Sequence, residues 1–102
     1  MKLRRQRLTR DDAEGLALQG LTFLAGDPQR LVRFFSLTGL TPADLQAWAD
    51  APRLQVAVLD YLLSDESLLL VFAAESKLAP EQIVPARDLL AGDGGAGIWK
   101  SI

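Results

Sequence analysis

Apolar residues recur every three to four positions along the chain, and Pro, Gly or Asp clusters interrupt them roughly once per dozen residues. With few β-branched residues between the breaks, this spacing predicts helices rather than strands. Thr9 is placed to cap a first helix, with Asp11, Asp12 and Glu14 in its opening turn. Its inward stripe reads Ala13, Leu16, Ala17, Gly20 and Leu24, widened by Leu21 and Phe23. Gly26-Asp27-Pro28 then ends that helix and starts a second, with Asp27 as N-cap and Pro28 at the first position. Leu31, Phe34, Phe35 and Thr38 carry the second helix to Gly39, where a left-handed C-terminal cap is expected.

Thr41-Pro42 opens a short third helix over residues 42–49, with Asp44 completing a box-like start and Leu45 and Trp48 turned inward. Asp50 is expected to cap a fourth helix over residues 51–63. Leu54, Val58, Leu59, Leu62 and Leu63, with Val56, Ala57 and Tyr61, make it apolar on nearly every side, so it is the expected core pillar. Ser64-Asp65-Glu66 caps a fifth helix, and its apolar run over residues 68–74 is expected to be mostly buried. A sixth begins near Pro80 and turns Ile83, Ala86, Leu89 and Leu90 inward. Pro85 within it predicts a kink or restart, because an interior proline costs roughly 3 kcal/mol.

The fold class is therefore all-α: a compact bundle of about six helices in one domain over residues 9–91. A basic N-terminal arm, residues 1–8, and a Gly-rich C-terminal tail, residues 92–102, are expected to be flexible. Shifting the chain by 38 positions aligns its halves. Asp12 meets Asp50, Leu16 meets Leu54, Leu24 meets Leu62, Asp27 meets Asp65, Phe34 meets Phe72, and Pro42 meets Pro80. Two duplicated three-helix units, residues 9–49 and 50–91, are the expectation. Each would have an apolar face that it cannot bury alone.

Charge adds an asymmetry. The net charge is -2, yet Lys2, Arg4, Arg5, Arg7 and Arg10 crowd the first ten residues of a chain that is otherwise acidic. Such an arm suits phosphate, a lipid headgroup or an acidic partner, although short basic termini commonly serve only as solvated tails.

No histidine and no cysteine occur in the 102 residues, so Ser-His and Cys-His catalysis, disulfides and the commonest zinc ligands are excluded. The expectation is a non-enzyme without a cofactor or metal. Acidic pairs such as Asp11/Asp12 fall at helix starts, where capping explains them. The glycine-rich stretch after Ala91 follows a helix, opens none and lacks a Lys-Ser/Thr ending, so it is not a phosphate loop. The longest apolar run is too short for a bilayer, which needs roughly 20 residues. The N-terminus has no apolar signal-peptide core. A cytoplasmic protein is expected.

One segment hints at nucleic acid. Phe34, Gly39, Leu40, Leu45 and Trp48 have about the spacing of a helix-turn-helix over residues 31–49, with the basic arm in support. Phe35 is bulky where a small residue is wanted, and the reading helix offers Asp44, Gln46, Ala47 and Asp50 but no Arg or Lys, so its face would repel phosphate. Nucleic acid is thus the weaker alternative to a protein partner.

The segments ALQGLTFLAGDPQRLVRFFSLTGLTPADL, VAVLDYLLSDESLLLVFA and LAPEQIVPARDLL, in this order, resemble the small bacterial family called domain of unknown function 3572. That resemblance implies a small helical cytoplasmic domain and brings no catalytic residues with it. Taken together, the expectation is a protein-interaction or regulatory module, with Arg4, Arg5, Arg7, Arg10, Trp48 and Trp99 as candidate partner contacts.

Overall fold

The computed structural model describes the backbone of residues 8–100 and the side chains of residues 8–92. Helices follow one another as α1 (Arg10–Ala25), α2 (Pro28–Thr38), a 3₁₀ helix (Asp44–Asp50), α3 (Pro52–Leu63), α4 (Glu66–Ser76), a 3₁₀ turn (Pro80–Gln82) and α5 (Ile83–Lys100). No strand occurs among the described residues, so the all-α class stands.

Local chemistry sets most of the boundaries. Thr9 and Asp12 form a reciprocal capping box at the start of α1, the Asp12 N–H donating to Thr9 Oγ1 at 3.1 Å and the Thr9 N–H to Asp12 Oδ2 at 3.0 Å. Donation from the Thr9 backbone N–H first, and then from the Thr9 side chain, holds the Asp12 carboxyl below its ordinary value. Asp27 accepts the Gln29 N–H at 2.9 Å, and Asp65 accepts the Leu68 N–H at 3.1 Å, each opening its helix. Thr41 and Asp44 exchange bonds at 2.8 and 3.2 Å.

Three expectations need correction. The third helix is not α-helical: it is the 3₁₀ segment Asp44–Asp50, broken at Ala47, where φ and ψ are -92° and 15°. Asp50 does not cap α3, because it is still the last residue of that segment; Ala51 takes the N-cap position without a side-chain bond. Finally, α4 is not mostly buried. Only Phe72 and Ala73 are enclosed, while Leu70 and Val71 are 51% and 40% exposed. Pro85 gives the expected restart: the chain turns through Pro80–Gln82, and Pro85 falls in the first turn of α5, where its missing N–H breaks no helical bond.

Helix α3 is the pillar the sequence predicts, touching α1, α2, α4, α5 and the 3₁₀ helix. Its Leu54, Val58, Leu59 and Leu62 are fully enclosed, as are Ala13, Ala17 and Leu24 of α1. Each such leucine contributes about 1.5–3 kcal/mol through loss of exposed apolar surface. Ile83, Ala86 and Leu90 of α5 close the core. Arg87 of α5 binds Asp60 of α3 at 2.7 Å, an exposed pair in which the carboxylate raises the guanidinium pKa further. Beyond a break at Gly92 (φ 55°, ψ -152°), the glycine-rich stretch expected to form a flexible tail follows a helical backbone to Lys100.

Positions 38 apart share local geometry. Gly26 and Ser64 end α1 and α3 in the right-handed region, at ψ -11° in both cases. Asp27 and Asp65 follow at φ -134° each, and Gly39 and Lys77 both end their helices in the left-handed region, at φ 79° and 57°. Contacts between the halves also exchange. Phe23 packs on Phe72 with ring centroids 5.4 Å apart, and Phe34 packs on Tyr61 at 5.2 Å. Since Phe23 corresponds to Tyr61 and Phe34 to Phe72, the two pairs are one pair seen from opposite halves. Gly20 and its counterpart Val58 meet each other: a Cβ on Gly20 would stand 3.0 Å from Val58 Cγ1 and from Leu62 Cδ1. Where equivalent positions meet, only one of them has room for a side chain.

Candidate interaction surface

The exposed side of α4 is built from an uninterrupted apolar run, Leu68 to Ala74, laid on a helix. At about 100° per residue, such a run supplies apolar groups to both sides of the helix. Phe72 and Ala73 face the core, and Leu68 and Leu69 are half-buried beside them. The opposite side presents Ser67, Leu70, Val71 and Ala74, the i, i+3, i+4, i+7 set that one helix offers to another. Glu66 and Glu75 bound this stripe. They stand roughly 180° apart around the axis and about 13.5 Å along it, and both are exposed.

At its N-terminal end the stripe runs into a groove of about 370 Å³ between α2 and α4, whose lining includes Leu37, Tyr61, Ser64 and Ser67 with Arg33 and Glu66. Leu37 is 65% exposed. Elsewhere, a recess of about 430 Å³ lies against the start of α1, lined by Asp11, Asp12, Gln19 and Gln82 among others. The Asp12 carboxylate there is committed to the Thr9 cap. Among the described residues, no group of three or more His, Cys, Asp or Glu side chains is arranged to hold a metal ion. No described helix is long and apolar enough to cross a membrane.

Of the contacts expected from the sequence, Arg4, Arg5, Arg7 and the side chain of Trp99 lie outside the described residues. Arg10 is tied to the body: its Nη1 donates to the Leu89 carbonyl at 3.1 Å, near the end of the first section of α5, and its Nε lies 3.6 Å from Glu14. Trp48 is half-buried against the core, and its carbonyl accepts a 2.9 Å bond from the enclosed Gln55 side chain. These two residues sit on elements that do not touch.

The helix-turn-helix reading meets the same geometry. Its recognition helix is the 3₁₀ segment, held against α3, and the exposed groups there are Gln46, Ala47, Ala49 and Asp50. Sequence reasoning missed Leu70, Val71 and the bracketing glutamates because an apolar helix reads as buried. A helical wheel of α4 would have shown two opposed apolar faces.

A family model described as Protein of unknown function (DUF3572) matches residues 10–93. No curated protein and no solved structure matches the chain.

Proposed function

We propose, from the premise that the chain belongs to the DUF3572 family, that it is a non-catalytic protein-interaction module whose contact surface is the outer stripe of α4. One observation carries this reading. Helix α2 occupies the corresponding place 38 residues earlier, with the same kind of caps and the same buried phenylalanine, yet its matching outward set is Gln29, Val32, Arg33 and Ser36, with one apolar residue where α4 has Leu70, Val71 and Ala74. The fold therefore tolerates arginine and serine at the positions that Val71 and Ala74 hold on α4. Val71 and Ala74, which extend the exposed Leu70 into a continuous stripe, serve something other than folding, and exposed apolar groups on a polar-edged face suit a protein contact.

The same reading takes the chain to be a cytoplasmic protein built from a duplicated three-helix unit, with α1 and α3 at the centre. The absence of His and Cys from the sequence supports the non-catalytic part. The acidic edges of the stripe weigh against nucleic acid. To test the proposal, the full chain and its Leu70→Ser/Val71→Ser variant are expressed in the native host and sized under native conditions. The unaltered chain is expected in a larger complex, and the variant, with unchanged helicity, at the size of the free protein. Identical elution of the two would defeat the reading.

A further inference from the structure

Resting on that reading, we infer that the occupant of the α4 stripe is a cationic amphipathic helix of a partner protein. It lies along Leu70, Val71 and Ala74 with its lysines or arginines facing Glu66 and Glu75. Spacing and charge both point to this occupant. The outward set is a helix-packing seam about two turns long, the geometry that accepts a helix laid lengthwise rather than a strand or a single side chain. Carboxylates stand on both edges of the seam. Among the described residues, neither Glu66 nor Glu75 enters an ion pair. Edge charges of one sign select a partner helix flanked by the other sign, as the rim positions of paired helices do.

The surroundings reinforce that selection. Residues 8–92 carry twelve acidic and six basic side chains, so the body attracts cations and repels phosphates and anionic lipid. A second copy of the chain fits less well. In an isologous pairing of the α4 stripes, each edge would carry glutamates from both copies and no cation from either stripe. Pairing α4 with α2 of another copy would set an apolar seam on a face where Gln29, Arg33 and Ser36 part Val32 from Leu37. The α4 stripe matches neither surface of its own chain.

The probes are three stapled peptides of about three turns each, sharing one Leu/Ala seam and flanked by Lys, Gln or Glu. Binding to the full chain is followed by fluorescence anisotropy. The Lys-flanked peptide is expected to bind roughly tenfold more tightly than the Glu-flanked one, an effect of two exposed ion pairs. The gap should narrow as salt is raised. Glu66→Lys/Glu75→Lys should reverse the order, and Glu75→Lys alone, which leaves the helix start intact, should close part of the gap.

Absence of binding by all three peptides, or an order that survives charge reversal, overturns the inference. So does a concentration-dependent dimer dissolved by Leu70→Ser, since it would make a second copy the occupant. Equal binding of the three peptides, abolished by Leu70→Ser/Val71→Ser, removes the cationic partner while leaving the proposed contact surface standing.

Discussion

Helices α2 and α4 are eleven residues long, start behind an aspartate N-cap and end in a left-handed residue. Each drives one fully enclosed phenylalanine into the other half of the molecule, Phe34 onto Tyr61 and Phe72 onto Phe23. Their inward sides are thus near-copies; their outward sides are not. Residues 32, 33, 36 and 37 read Val, Arg, Ser and Leu, whereas residues 70, 71, 74 and 75 read Leu, Val, Ala and Glu. Because the packing demand is alike, the difference isolates what packing does not require. One helix supplies the control that a single structure ordinarily lacks.

The comparison breaks most easily from the inside. Phe34→Ala and Phe72→Ala should each cost about 3–5 kcal/mol in denaturant unfolding, similar for the two because both rings are fully enclosed. A large inequality would show that the halves do not carry equivalent roles. Gly20→Val should cost about 1–3 kcal/mol, since its side chain would collide with Val58 and Leu62. Adding Val58→Gly should recover part of that loss, as expected where two corresponding positions meet; strictly additive losses would contradict the meeting point.

Smaller effects sharpen the contrast at the helix ends. Gly39→Ala should destabilise by about 1 kcal/mol and Lys77→Gly should stabilise by up to about 1 kcal/mol, because both positions are left-handed and only one has a glycine. Equal signs in thermal unfolding would rule this out. The Thr9/Asp12 box has no counterpart at Ala51, so α1 and α3 should respond differently to acid. With its folded pKa lowered, Asp12 contributes stability that is present above the unfolded carboxylate value and is lost as pH falls through the folded one. Hydrogen exchange should show the first turn of α1 losing protection in that acid window, and Asp12→Asn should remove the pH dependence there.

Much of this architecture was legible in the chain. Capping chemistry marks Thr9, Asp27, Gly39 and Asp65 through side-chain oxygens, prolines and a glycine at fixed offsets, and those boundaries stand in the structure. The stripes of α1 and α5 were legible for the same reason, as polar residues outline them. Periodicity could not distinguish an α-helix from the tighter 3₁₀ winding at Asp44–Asp50, where a short segment answers to its packing on α3. Nor could it orient α4, whose apolar residues fill both sides. Burial of Gln55 was equally invisible: its Nε2 donates to the Trp48 carbonyl, brought in by the 3₁₀ segment, while its enclosed Oε1 has no partner among the described residues.

The outer faces should matter least to stability. Leu70→Ser/Val71→Ser and Val32→Ser/Leu37→Ser should each shift unfolding by only about 0.5 kcal/mol, as exposed positions do. Their difference lies in what each face meets, and a photo-activated cross-linking residue placed at position 70 or at position 32 of the full chain, in its native host, tests it most directly. A discrete protein adduct is expected from position 70 and none from position 32. Equal labelling at the two positions, or none at position 70, would contradict that expectation.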